Sequence, residues 1–270
     1  MTADRLRLAA HRLIGRIAPG LRARYLPGVV GRVHRHDAML DESPEGIALY
    51  LRAGSSAIDN LAAVLERAGR SFADVTSCLD FGCGHGRVLR LLCQKIPPRR
   101  ITACDVDPGG VGFCAAEFGV RPLLSRWRVE EIRLKTYDLI WSGSVLTHLD
   151  AAAGEALFAK LAQSLLPGGL LTFSIHGQFS LEGLEHLYGR VWAGEAEEIR
   201  REVAQRGVSF RPYDGSFGRF PVPYGMTWHN REYFEAKAAE LFGDRLQLIF
   251  WRARGWDFHH DVLAFQRCEG

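Results

Sequence analysis

Lysine is almost missing from this 270-residue chain: Lys95, Lys135, Lys160 and Lys237 are the only four, leaving 30 Arg, and the formal net charge is only +3. A near-balanced charge carried by arginine does not by itself make a nucleic-acid binder. Paired cysteine motifs are also absent. Cys78, Cys83, Cys93, Cys104, Cys114 and Cys268 show no C-x-x-C spacing, so they read as reduced, small apolar residues in a cytoplasmic protein, and they signal no metal site. No apolar run approaches 18 residues and no signal-peptide pattern opens the chain, which argues against a membrane span and against secretion. With 47% hydrophobic residues the chain can bury one substantial core, and its length suits a single elaborated α/β domain.

Glycine, by contrast, is concentrated where it matters. Asp80-Phe81-Gly82-Cys83-Gly84-His85-Gly86 follows an apolar strand at 75–79 and precedes a helix-like run, Arg87-Val88-Leu89-Arg90-Leu91-Leu92. Strand, glycine loop and helix start fall in the order of a nucleotide-binding crossover. A dinucleotide fingerprint, G-x-G-x-x-G, needs its third Gly at position 87, which is Arg87, so the spacing argues against NAD. Glycines let the backbone approach a ligand without Cβ in the way. Asp80, just before them, would repel a pyrophosphate but suits an ammonium group. A nucleoside with an ammonium and no phosphates, S-adenosylmethionine (SAM), fits this loop, and Asp80, Gly82, Cys83 and Gly84 are its candidate contacts.

A second motif lies downstream. Ile101-Thr102-Ala103-Cys104-Asp105-Val106-Asp107-Pro108 reads as an apolar strand ending in acids, with Pro placed to open a helix. Asp105 lies 23 residues beyond Gly82, close to the spacing of about 20 at which an acid accepts hydrogen bonds from ribose hydroxyls. Val106 then offers an apolar face to the adenine. Asp107 is the rival acid, and as the residue before Pro108 it is also placed to cap the helix over 108–118.

These motifs, with Tyr137-Asp138-Leu139-Ile140-Trp141-Ser142-Gly143-Ser144-Val145-Leu146-Thr147-His148-Leu149 and Leu166-Pro167-Gly168-Gly169-Leu170-Leu171, make the chain resemble the class I SAM-dependent methyltransferases over about residues 75–177. The resemblance implies a Rossmann-like, doubly wound, mostly parallel seven-stranded sheet whose last strand is antiparallel, with SAM across the carboxyl ends of the first strands. Many relatives end the third strand in an acid that bonds the adenine amino group. Here Ser125 stands there and can still accept that bond, and Ser142 in the fourth-strand motif joins the cofactor-binding candidates.

Organisation follows from periodicity. Residues 1–70 read as an N-terminal basic and helical segment and 71–270 as the α/β domain. Residues 1–36 hold eight Arg against one acid, Asp4, with Leu6, Ala9, Ala10, Leu13, Ile14 and Ile17 on one helical face. Such a helix either lies on an anionic membrane surface, as a peripheral contact, or packs on the domain with its arginines solvated. A helical stretch over 46–69 could bring Tyr50 and a break at Gly54-Ser55 to the methionine end of the cofactor, or supply ordinary packing. Strands are expected near 76–81, 100–105, 121–124, 137–142 and 169–175, and helices near 86–96, 108–118 and 151–165. Helical patterns at 181–188 and 195–205 and an aromatic Gly/Pro-rich stretch at 215–225 make 178–229 an insertion beside the carboxyl edge, the expected substrate lid. A helix over 230–242 and an antiparallel pair, 246–252 with 261–266, close the fold.

Methyl transfer from a sulfonium is an in-line displacement on an already activated carbon, so holding the acceptor about 3–3.5 Å away is the protein's main task. A hydroxyl or amine must also lose a proton, and histidine is the usual base near neutral pH. His148, after the fourth strand, and His176, ending the fifth, are the catalytic candidates; a His at the first position also commonly caps a helix or bonds backbone. His229 is next in line, and His85 lies inside the glycine loop. Trp141, Tyr213, Phe217, Phe220, Tyr224 and Trp228 could line an acceptor pocket or fill a core. The leading function is SAM-dependent methyl transfer to a small molecule, a sugar or a lipid-linked glycan, at oxygen; a SAM-binding subunit without turnover is the alternative. The fourth strand lacks the Asn/Asp-Pro-Pro-aromatic turn and no Pro-Cys pair occurs, which disfavours nucleic-acid bases. A protein substrate and the oligomeric state stay open.

Overall fold

Residues 23–26, 28–187, 192–214 and 220–268 are described by the structure, a computed structural model. The basic helix expected near the N-terminus falls largely outside these residues. The described part opens on a short antiparallel ladder, β1 (Ala23–Arg24) with β2 (Val33–His34).

Helix α1 (Pro44–Arg67) starts at an N-cap, Ser43, whose Oγ accepts from Gly46 N at 3.1 Å, with Pro at the first helical position. It runs without a break through Gly54 and Ser55. Gly54 is there for approach: a Cβ would lie 2.8 Å from Arg87 O, so its absence lets the helix close on the chain that leaves the glycine loop.

Strand β3 (Cys78–Phe81) and helix α2 (Leu89–Leu92) flank that loop. The helix is shorter than the 86–96 expected, because the segment is a series of tight turns around one α-helical turn, stopped by Pro97-Pro98. β4 (Ile101–Asp105) leads to α3 (Pro108–Phe118), capped by Asp107, whose Oδ1 accepts from Gly109 N at 2.9 Å, and ended by Gly119 at φ 71°. β5 (Arg121–Leu124), β6 (Tyr137–Ser142) and α4 (Ala151–Gln163) follow, the last capped by Asp150.

β7 (Leu165–Ile175) begins before Pro167-Gly168-Gly169. Those residues form an irregularity inside the strand, at the register shift between Tyr137 and Leu139, with Gly168 at φ 73°. Helices α5 (Gln178–Glu182), α6 (Leu184–Leu187) and α7 (Ala196–Arg206) and the hairpin of β8 (Val208–Pro212) with β9 (Gly225–His229) fill the inserted region. Helix α8 (Arg231–Phe242) precedes the closing pair, β10 (Leu246–Trp256) and β11 (His260–Arg267).

Seven strands form one sheet in the order β10-β11-β7-β6-β3-β4-β5, with β11 antiparallel to both neighbours and the other ladders parallel. Alternate side chains feed two cores. Cys78, Leu139, Trp141, Leu170 and Val262 face α1 and its neighbours, while Leu79, Phe81, Ile140, Leu171 and Phe173 face α4 and α8. Burial on both faces explains the near-continuous apolar strands. The insertion has its own small core of Leu181, Leu184, Trp192, Ile199, Val203 and Trp228, so the aromatic Trp228 is packing there. β9 is tied to the end of β7 by a bridge between His176 and Trp228 and by His229 N donating to His176 O at 2.9 Å.

Candidate functional site

A cavity of about 310 Å³ opens at the carboxyl ends of β3, β4, β5 and β6. The position follows from topology: the chain leaves β3 toward one side of the sheet and β6 toward the other, and the diverging loops leave a crevice.

The glycine loop forms its floor. Gly82 N and Cys83 N both donate to Cys104 O, at 2.8 and 3.1 Å, and Gly82, Gly84 and Gly86 have φ of 83°, 51° and 86°. A Cβ on Gly82 would overlap Val145, so this glycine serves close approach as well as the turn. Gly110 at the start of α3 matters in the same way, since a Cβ there would overlap the carbonyl of Gly84. The Cys83 and Cys114 thiols both reach the Gly84 carbonyl at 3.6 Å, and Cys83 stays a thiol because contact with Cys114 and burial push its pKa well up.

Asp105 fastens the loop. Its Oδ2 accepts from Gly84 N at 2.8 Å and its Oδ1 from Asp107 N at 2.9 Å. The carboxylate keeps further lone pairs, and it and Val106 both line the cavity. Asp107 caps α3, as its place before Pro108 predicts, and does not line the cavity. Asp80 is different: it is 2% exposed, and its Oδ2 has no hydrogen-bond partner. Burial, with the nearby Asp105 charge second, lifts its pKa to about 7. A buried carboxylate with one oxygen unbonded, facing a cavity, is a socket for a cationic donor.

Ser125 lines the cavity with a buried Oγ that also lacks a partner, while its backbone N donates to Asp105 O at 2.7 Å. Ser142 does not line it. Strand alternation turns Trp141 to the cavity and Ser142 away, fully buried.

The opposite wall comes from the turn after β6. Ser144 sits at φ 57°, an uncommon conformation for a residue with a Cβ, and its N donates to Ser174 Oγ at 2.8 Å. The turn brings Ser144 and His148 to the cavity. His148 Nδ1 lies 2.9 Å from Gly225 O and 3.1 Å from Tyr213 Oη, its Nε2 lies 3.4 Å from Ser144 Oγ, and its ring stacks on Tyr224 with centroids 5.2 Å apart. Donation to the Gly225 carbonyl puts the proton on Nδ1 and the lone pair on Nε2. Burial lowers the pKa, so the ring is neutral at pH 7 and able to accept a proton. Backbone bonding and cavity lining thus coexist in this residue, and Asp150 takes the cap of α4.

His176 is not on the cavity wall. It is 2% exposed behind His148, with Nδ1 3.1 Å from Thr227 O, and burial drives its pKa well down. His229 is also buried, with a pKa lowered to about 3 by burial, and stands against Tyr233 and Phe234. His85 lines the cavity and stacks on His34 at 4.7 Å. Tyr50 is buried away from the cavity, where it donates to Asp37 at 2.7 Å and accepts from Arg90 at 3.1 Å.

Several lining residues carry no local sequence signal. Trp127 meets Tyr224 and Phe220 at 5.8 Å, joining the loop after β5 to the insertion. Trp256 comes from the far hairpin, donates to Ala53 O at 2.8 Å and takes Arg87 over its ring at 5.0 Å. Arg126 is exposed at the cavity rim. Phe217 lies outside the described residues.

Residues 79–171 match a family described as a methyltransferase domain. The chain is 30% identical over 141 residues to a malonyl-[acyl-carrier protein] O-methyltransferase of Acetivibrio thermocellus, covering 52% of this chain and 48% of that protein. It is 31% identical over 142 residues to a trans-aconitate 2-methyltransferase of Streptomyces avermitilis, covering 48% and 50%. The chain therefore spans about half the length of these curated relatives. Among solved structures, SAM-bound CalS10, an amino pentose methyltransferase of Micromonospora echinaspora, superposes with a TM-score of 0.53 at 17% identity, covering 84% of this chain and 98% of that one. At that identity the likeness concerns the fold.

Proposed function

Residues 79–171 belong to the methyltransferase-domain family and are set in a class I, Rossmann-like fold, and from that premise we propose that the protein transfers a methyl group from SAM to an oxygen of a small acceptor. The observation that carries the reading is Asp80: an oxygen with no partner on a carboxylate buried at the tip of β3, where the ammonium of an amino acid would complete it.

The residues present fit SAM along its length. Asp80 takes the ammonium, and Gly82, Cys83 and Gly84 offer backbone at the amino-acid end. Asp105 takes the ribose hydroxyls with the lone pairs its two amide bonds leave over. Val106 packs on the adenine, and Ser125 Oγ bonds its polar edge. Ser142, buried outside the wall, acts at one remove by packing behind the site. Bound there, SAM supplies a methyl group already activated for displacement.

The chain's own work is positioning, exclusion of water and removal of one proton. Ile132, Leu157, Trp127 and Tyr224 give the acceptor side an apolar, largely aromatic wall. His148, neutral and with its lone pair on Nε2, accepts the proton of an acceptor hydroxyl, which takes the place of Ser144 Oγ at that nitrogen while Ser144 turns to its other partner, Thr147 Oγ1 at 3.2 Å. His176 serves His148 from behind, as a neutral neighbour with ring centroids 6.3 Å apart. The inserted residues 178–229 act as a lid through Tyr224 and through the Gly225 carbonyl that orients His148.

A second reading is a carboxylate acceptor, favoured by Arg126 on the wall and by the relatives named for malonyl-[acyl-carrier protein] and trans-aconitate. Sugars and lipid-linked glycans belong to the hydroxyl reading. Contact with an anionic membrane through residues 1–36 rests on their eight arginines; no described helix is long and apolar enough to cross a membrane. The free thiols fit a reducing, cytoplasmic setting.

The test is transfer of labelled methyl from SAM to a panel of hydroxyl and carboxylate acceptors. Transfer to hydroxyls that collapses in His148→Ala supports the leading reading, and transfer to carboxylates insensitive to that change supports the second. Tight SAM binding with no transfer to any cell-extract acceptor would leave a binding subunit.

A further inference from the structure

Three histidines meet just behind the cavity. His176 directly follows β7, His259 sits in the turn between β10 and β11, and His260 opens β11; one ring nitrogen from each lies within 4.8 Å of the other two. Ring centroids are 4.6 Å apart for His176 and His260, 4.2 Å for His259 and His260, and 6.1 Å for His176 and His259. We propose that His176, His259 and His260 form a binding site for one divalent transition-metal ion of the zinc class.

The outward bonds of the rings are those of metal ligands. His176 Nδ1 bonds Thr227 O at 3.1 Å, His259 Nδ1 bonds Asp257 O at 2.7 Å, and His260 Nδ1 bonds Ser174 Oγ at 3.0 Å. For His176 and His259 a carbonyl acceptor fixes the proton on Nδ1 and the lone pair on Nε2, the arrangement by which an outer shell orients histidine ligands, and the Ser174 hydroxyl can accept the same bond from His260. Burial holds His176 and His260 neutral, the state an ion requires. Carboxylates are not needed: three neutral imidazoles with a fourth position for water are a known catalytic-type zinc set.

The backbone points to the same place. Asp257 and Phe258, the two residues before His259, have φ of 51° and 59°. Two successive residues in the left-handed region make the tight turn of the β10–β11 hairpin, where Trp256 pairs with His260. That turn carries His259 over the buried pair. For tetrahedral zinc the ligand nitrogens stand about 3.4 Å apart, from bonds of about 2.0–2.1 Å. The partly exposed His259 turn has to close by about 1.4 Å at most from the 4.8 Å seen.

The site adjoins the cavity through two contacts: His148 against His176 at 6.3 Å, and Trp256 against His260 at 5.2 Å. Both Trp256 and His148 line the cavity. The inference needs neither SAM nor turnover, so it stands or falls apart from the proposed function.

The experiment uses the full chain without a histidine tag, stripped with chelator, and titrates zinc by calorimetry and cobalt(II) by absorption. One equivalent of each ion is expected, with the visible bands of tetrahedral cobalt and no thiolate charge-transfer band. His259→Ala changes a turn residue, so folding is retained, and it should weaken zinc by more than about 100-fold, beyond the 10- to 100-fold typical of outer-shell changes. His260→Ala should do the same if it folds. Absence of a tight equivalent, a thiolate band placing the ion on cysteine, or unchanged affinity in His259→Ala each overturns the proposal.

Discussion

Replacing Asp80 by Asn separates what the carboxylate does for folding from what it does for binding. Burial lifts the group from 3.8 to about 7 in the folded protein. The native state therefore holds a proton that the unfolded chain has released, and stability falls as pH rises from about 4 to 7. A difference of about three pH units corresponds to about 4 kcal/mol, fully felt by pH 8. Asn is neutral and nearly isosteric. In the absence of SAM, Asp80→Asn should therefore be more stable than wild type at pH 8, by up to about 4 kcal/mol, and equally stable near pH 4. For a chain of this size, each kcal/mol moves the melting temperature by about 2–4 °C, so thermal unfolding at the two pH values resolves the effect. SAM affinity should move the other way, falling by about 1.5–3 kcal/mol for a lost charged hydrogen bond. At pH 7 wild type should release about half a proton on binding SAM, as the ammonium restores the carboxylate. Calorimetry in buffers of different ionisation enthalpy measures that release, and it should vanish in the variant. A variant that is less stable at pH 8, yet binds SAM as well as wild type with the same proton release, would refute the reasoning.

Asp105→Ala should weaken SAM by about 1.5–3 kcal/mol or more, because it removes the ribose acceptor and also frees Gly84 N from its 2.8 Å bond; calorimetry reads the affinity directly. Gly110→Ala should lower both SAM affinity and the melting temperature, since the new methyl group overlaps the Gly84 carbonyl oxygen and forces the backbone of the glycine loop to shift. For hydroxyl acceptors, His148→Ala should cut kcat by about 10²- to 10⁴-fold. Its lowered pKa places the acid limb of the wild-type pH–rate profile below 6.5, with activity lost as the ring gains its proton, and that limb should disappear in the variant.

Most of the frame was legible because glycine and proline mark its corners. Asp80 and Asp105 could be placed at strand tips from the spacing of the loop alone, and the start of the helix over 108–118 was marked by Asp107-Pro108, while its stop at Gly119 is seen in the structure. What could not be read is orientation and distance in space. Ser142 and His176 were correctly put at strand ends, yet alternation turns Ser142 away from the cavity and the bridge to Trp228 draws His176 behind it. Trp256 and Trp127 reach the cavity through pairings between remote segments, which periodicity does not encode. His259-His260 lies more than 80 residues beyond His176, so no local spacing could suggest their meeting. The expected helix over 86–96 overshot because Arg87 to Leu92 has helical composition while the turns around it satisfy their amides locally.

In the proposed mechanism, the bond from His148 to the Gly225 carbonyl ties proton transfer to the inserted segment that also brings Tyr224 to the cavity. Grafting the 178–229 cassette from one scaffold to another would then transplant acceptor choice and proton affinity together, as a single heritable trait. Directed evolution for a new acceptor should find its productive substitutions there while the two strand-tip acids stay untouched.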